Sequence, residues 1–375
     1  MSGTVSAGGS FGHQWARRSH DDRQSTSADQ VEWQAVLHGI AHVAAGTMDE
    51  EMTEEADQEI AEDVRTRDPL EGKNRVMELA QGGTAEIILL RKQQLGDAYP
   101  FKHIQNSLHY EPPADQLPLY ELLLGTSQAQ SLTTGPFTAL PRLFEQLSKL
   151  AGMAFLGPTA RGFHTGWPRP DEHSRFKAVV EQLRIETGMH YSEWEWRPGS
   201  YLPVDPVPAL IKDGGLDIVA WRPWEDQRTA QLYLLGQCAC GADWLNKTKD
   251  LDMQRLAEWF APPRVTPLRS FFTPHYAVNS ILQEHSLSAG LMFDRVRILH
   301  MLREPHISKS VDALKDEIQA ALAIAKQELP PKPKRKPHGS KKVRASGLAK
   351  KDSTGLPDTS KKSRAVASAN SSSGG

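Results

Sequence analysis

The chain has 375 residues, 39% hydrophobic and 24% charged, an ordinary balance for a folded protein with enough length for two domains. No apolar run approaches the roughly 18–20 residues that cross a bilayer, and Met1–Ser10 lacks the charged-then-apolar order of a signal peptide, so no membrane partner and a cytoplasmic location are expected. The net charge of -2 conceals an asymmetry: residues 329–375 hold 12 Lys or Arg against Asp352 and Asp358, so the rest of the chain is strongly acidic.

Residues 1–30, rich in Ser, Gly, Asp and Arg, are expected to be disordered. Residues 31–126 read as a mainly helical N-terminal region, with Trp33, Val36, Leu37 and Ile40, and later Val76, Leu79, Ile87 and Leu90, at helical spacing. Within it, Asp49–Asp63 carries nine acidic residues and no basic one, a solvated face or, as the alternative, the site of a basic protein partner.

Residues 130–285 form the next unit. Leu140–Phe155 places Leu140, Leu143, Phe144, Leu147, Leu150 and Ala151 on one helical face and ends at Gly157-Pro158. A second helix is expected from Glu172 to Thr187. The period then changes: Met189–Trp196, Leu216–Trp221 and Gln231–Cys240 read as strands separated by Pro- and Gly-rich connections. Helix is expected again at Leu251–Phe260 and from Ser286 through a helical extension over 286–328. The remaining residues, 329–375, are rich in Lys, Pro, Ser and Gly with few large apolar side chains and are expected to be a disordered basic tail that binds nucleic acid through its charge.

Several features have bland explanations. Cys238 and Cys240 are too few for a structural zinc site and read as free buried thiols. Seven of the nine Trp fall between Trp167 and Trp259, where core packing outweighs base stacking as the explanation. His164, His173, His190 and His275 lack metal-ligand spacing, and no Walker loop, dinucleotide fingerprint or HExxH is present.

The chemistry is concentrated in residues 212–247, KDGGLDIVAWRPWEDQRTAQLYLLGQCACGADWLNK. Asp217 opens one short apolar strand, and a second ends in Gly236-Gln237-Cys238, so adjacent strands would present Asp217 and Gln237 at one sheet edge. Phosphodiester hydrolysis needs oxygen ligands for Mg2+ and a positive group to offset charge on phosphorus. Asp213 is an alternative ligand, although Gly214-Gly215 beside it marks a turn.

This arrangement resembles the PD-(D/E)XK, or restriction-endonuclease-like, nuclease superfamily. There an acidic residue on one strand is followed by Glu, Asp or Gln, any residue, and Lys on the next. The resemblance implies an α/β fold, a mixed sheet flanked by helices, in which Asp217, Gln237 and Glu145 of the LFEQL helix hold Mg2+ (or Mn2+). The lysine of the pattern falls at Ala239, and Lys247 is the candidate relocated basic residue, with Lys249 next in line. The implied activity is Mg-dependent endonuclease cleavage of DNA, in the manner of effectors of bacterial defence or restriction systems. The departure at Ala239 leaves open a catalytically inactive nuclease fold that binds nucleic acid or scaffolds a partner.

Overall fold

The computed structural model describes residues 20–43, 69–169, 174–188, 193–226 and 228–327. The expectations for residues 1–19, for the acidic run 49–63 and for the tail from 329 onward lie outside the described residues. Contacts gather the described residues into one compact unit, and no helix among them is long and apolar enough to cross a membrane.

The chain runs α1 (His20–His38), β1 (Ile40–His42), α2 (Pro69–Leu95), β2 (Phe101–Ile104), β3 (Ser107–Tyr110), α3 (Leu119–Ser127), α4 (Ala139–Leu156) and β4 (Arg161–His164). It continues through α5 (Phe176–Glu186), β5 (Ile218–Arg222), β6 (Leu232–Cys238), α6 (Met253–Ala257) and β7 (Leu268–Phe272). It closes with α7 (Asn279–Ala289), β8 (Leu291–Phe293), α8 (Arg295–Leu302), α9 (Ser308–Asp312) and α10 (Lys315–Ala325). The architecture is mixed α/β, with a five-stranded sheet in the order β4-β5-β6-β7-β8 and a three-stranded sheet in the order β1-β3-β2.

In the large sheet β4, β5 and β6 form an antiparallel meander, while β7 and β8 run parallel to β6. Both faces are covered, which is why β5 and β6 read as continuous apolar runs rather than alternating ones. One face presents Ile218, Ala220, Leu234 and Phe272 to the cluster that includes α4. The other presents Val219, Trp221, Tyr233 and Leu235 to Phe176, Val180 and Leu183 of α5 and to Trp194, Leu256 and Phe260. The stripe of α4 is buried as its spacing predicts, and Gly157 at φ 103° ends the helix in a conformation that costs other residues most. Each large side chain so buried contributes about 1.5–3 kcal/mol relative to exposure.

Four expectations are corrected. Residues 20–30 are helical, not disordered, because α1 is tied down by charges. Arg295 donates to both carboxylate oxygens of Asp29 at 2.8 Å, and Arg91 lies 2.8 Å from Glu32, all four side chains being buried. The helical N-terminal region contains a sheet, Phe101–Tyr110 folding back as a hairpin that takes β1 as its third strand. Leu291–Phe293, assigned to the helical extension, supplies the fifth strand of the central sheet, so the boundary at 285 cuts through it. Of the strand expected over Met189–Trp196, residues 189–192 are outside the described residues, and Trp196 makes only an isolated bridge to Phe260.

Candidate active site at the carboxyl ends of β6 and β7

Register brings the candidates together. His164 pairs with Ile218 across β4 and β5, and Ile218 pairs with Gly236 across β5 and β6. The ladder ends at that pair, with Asp217 and Gln237 the next residues on the two strands. Two hydrogen bonds hold that step: Asp217 N–H donates to Gly236 O at 2.9 Å, and Cys238 N–H donates to Asp217 Oδ2 at 2.7 Å. The site therefore lies beyond the carboxyl ends of β6 and β7, where open α/β sheets place their ligands.

Gln237 is 5% exposed, and its Oε1 is buried with no hydrogen-bond partner. A buried amide oxygen left so costs on the order of 1–3 kcal/mol. Its parallel neighbour is Phe271 of β7, an apolar side chain that offers it no donor.

Glu145 arrives from α4. Its Oε2 stands 2.5 Å from His164 Nε2 at the end of β4. Gly166 lies against the same pair: a Cβ there would fall 2.7 Å from Glu145 Oε2 and 3.0 Å from His164 Nε2. The N–H groups of Thr165 and Gly166 both donate to Asp217 O, and Thr165 Oγ1 donates to Leu216 O at 2.6 Å, which locks the end of β4 to the start of β5.

The electrostatics are those of crowded negative charge. Burial, then the neighbouring charges of Glu145 and Asp213, push the Asp217 carboxyl well above the usual carboxylate range, with the Cys238 N–H and Lys247 pulling it partly back. Asp217 touches solvent at its rim, yet the protein packed around it is dense enough for burial to dominate. The same carboxylates, after burial, raise the thiols of Cys238 and Cys240, so both stay protonated and free. Asp213 serves the turn the sequence implies, its Oδ1 accepting from Gly215 N–H at 2.9 Å, while its charge still reaches Asp217.

Lys247 ends a short 3-10 turn, Trp244–Lys247, and lies 3.5 Å from Asp243 with its side chain 40% exposed. Its charge reaches Asp217 and Cys240. Trp244 anchors the turn by stacking on His275 at 5.6 Å, and His275 Nε2 lies 3.1 Å from Cys240 O. Ala239, where the superfamily pattern puts lysine, is 2% exposed and shares a buried cluster with Trp244 and Cys240.

Among the described residues no three His, Cys, Asp or Glu side chains form a group that could hold a metal ion. The structure brings together two carboxylates, Glu145 and Asp217, while the amide oxygen of Gln237 makes no hydrogen bond to either. Two carboxylates that repel one another are part of the donor chemistry of a hard divalent cation such as Mg2+ or Mn2+.

Sequence reasoning missed His164 and Arg169. Arg169 donates to Thr165 O and, at 2.6 Å, to Lys212 O, bridging the loops on either side of Asp217. Neither residue has a local signature; only the register of β4 against β5 puts them here. No family model matches the chain, and neither a curated protein nor a solved structure matches it.

Proposed function

We propose that this protein is a metal-dependent nuclease of the PD-(D/E)XK type, cleaving DNA phosphodiester bonds as an endonuclease with Mg2+ or Mn2+. The charges of Glu145 and Asp217, brought together at the end of the sheet, carry the reading, with the buried, partnerless amide oxygen of Gln237 on the strand next to Asp217. The order of α4, β4, β5, β6 and α6 around a mixed sheet supports it, being the helix, three strands and helix of that superfamily with α5 inserted between β4 and β5.

In this reading Glu145, Asp217 and Gln237 hold the ion. When bound, a divalent cation supplies Lewis-acid charge to the scissile phosphate and acidifies a coordinated water. The Cys238 N–H fixes one oxygen of Asp217 and so orients the other. His164 holds Glu145, and the backbone pair from Thr165 and Gly166 keeps β4 and β5 in register at the site. Lys247 supplies the positive group the pattern would place at 239, its ammonium offsetting charge on phosphorus. DNA is held by this domain and by the basic tail.

The test incubates the full chain with plasmid, linear and single-stranded DNA in Mg2+, Mn2+ or chelator. Cleavage should need the metal and vanish in Asp217→Ala, and Lys247→Ala should lose about a hundredfold to thousandfold in rate with little change in DNA binding. Asp217→Ala cutting at the wild-type rate would sink the proposal. A second reading, a catalytically inactive nuclease fold that binds nucleic acid or scaffolds a partner, draws on the burial of Ala239. DNA binding without cleavage in either metal would select it.

A further inference from the structure

A second cavity, of about 290 Å³, lies away from the sheet end, between the loop leading into α3 and the helices α8 and α9. Its walls are mostly apolar, formed by Pro112, Pro113, Leu117, Leu299, Leu302 and Val311. Glu121, in the first turn of α3, lines the same cavity and is 3% exposed. Tyr110 OH donates to its Oε1 at 2.9 Å. Among the described residues Glu121 forms no ion pair; Lys326 lends positive potential without contact, and Arg303 and Asp312 line the cavity as well.

A buried carboxyl in an apolar wall is costly unless its charge is matched. The Tyr110 hydroxyl and the backbone N–H of Glu121 are neutral donors and do not match its charge. Burial accordingly lifts the Glu121 carboxyl above the usual carboxylate range, with its backbone N–H, the Tyr110 hydroxyl and Lys326 working against the shift. A cation entering the cavity would supply what the protein leaves out, and an apolar body behind it would cover the proline and leucine walls. This geometry, a largely apolar lining with a few polar groups, Glu121, Arg303 and Asp312 among them, is that of small-ligand sites, and the volume is near the lower end of their range.

We infer that this cavity binds a small organic cation, an ammonium or amidinium carried on a flat apolar body, with Glu121 as its counter-ion. The inference is independent of the nuclease reading, since the cavity shares no residue with the sheet-end site. The anchoring is by charge-assisted hydrogen bonds, stronger than neutral ones, and so the ligand's charge should decide binding.

Benzamidine, a phenyl ring bearing an amidinium, is the probe, and benzamide is its neutral counterpart. Titrated into the full chain by calorimetry and by thermal shift, benzamidine should bind saturably and raise Tm, at least tenfold more tightly than benzamide. Glu121→Gln keeps the shape and removes the charge, and should erase that tenfold preference. If Glu121→Gln fails to fold, the comparison of the two probes on the wild-type chain decides alone. Absence of saturable benzamidine binding at millimolar concentration, equal affinity for both probes, or undiminished preference in Glu121→Gln would overturn the inference.

Discussion

Replacing Arg295 with Met tests whether buried charge holds the N-terminal helix to the rest of the fold. Arg295 is fully buried and donates to Asp29 through both terminal nitrogens at 2.8 Å, to Pro274 O at 2.9 Å and to Ser127 Oγ at 3.0 Å. Arg91 lies 2.7 Å from Asp29 and 2.8 Å from Glu32, and the hydroxyls of Tyr99 and Tyr120 donate to Glu32 at 2.6 and 2.5 Å. The group is balanced, with two guanidiniums against two carboxylates. Arg295→Met leaves one carboxylate buried and unmatched, which costs about 3–5 kcal/mol. With about 2.1 cal/mol/K of unfolding entropy per residue over on the order of 300 residues, Tm should fall by roughly 5–8 °C. Adding Asp29→Leu restores balance between Arg91 and Glu32, so the double variant should recover most of the loss. The sign with pH follows from Asp29. Burial alone would raise its carboxyl, but Arg295 and Arg91 outweigh burial and hold it at about 2, below the ordinary 3.8. That difference contributes about 2 kcal/mol, present above pH ~4 and lost as pH falls toward 2. Urea and thermal denaturation of the two single variants and the double variant at neutral pH measure the coupling. An Arg295→Met protein within 1 kcal/mol of wild type, or a double variant whose loss equals the sum of the singles, would refute the reasoning.

Two further perturbations address the site and its supports. Gly166→Ala places a methyl 2.7 Å from Glu145 Oε2; the flexible carboxylate can swing away, so stability should change by less than about 1 kcal/mol while metal-dependent cleavage drops at least tenfold. Unchanged cleavage would detach Glu145 from the chemistry. His275 is pushed down to about 4 by burial, with Arg295 adding to the effect and Asp29 opposing it. A depressed base contributes stability that is full above its unfolded value near 6.5 and lost as pH falls through that value toward 4, here about 3 kcal/mol in all. His275→Gln should flatten the stability profile between pH 6.5 and 4, measured by urea midpoints across that window, and a profile parallel to wild type would show that this ring does not set it.

What was legible in the sequence follows from range. The α4 stripe and the apolar runs of β5 and β6 are local patterns and are legible from spacing alone. The start of α1 was not legible, since Ser25, Asp29 and Glu32 look like solvated residues until Arg91 and Arg295 are brought to them, Arg295 from 266 positions away. The hairpin at Phe101–Tyr110 and the strand Leu291–Phe293 are three or four residues long, too short for a period of two to declare itself among helices. His164 was dismissed for lacking ligand spacing, because the spacing that matters runs across β4 to α4 rather than along the chain.

The same two devices, a sheet register and a buried ion network, meet in one short segment. Arg295 N–H donates to His275 O and its side chain to Pro274 O, while His275 stacks on Trp244 and approaches Cys240 O. The turn that carries Lys247 thus rests on a residue that the Asp29–Arg295 pair holds in place. A lysine supplied from the strand itself would need no such support, being placed by the sheet. In the proposed reading, a basic group moved off the strand from Ala239 to Lys247 is positioned by packing between the N-terminal helix and the loop after β7 rather than by backbone register. The N-terminal region is on this argument a structural part of the candidate site rather than an appendage to it.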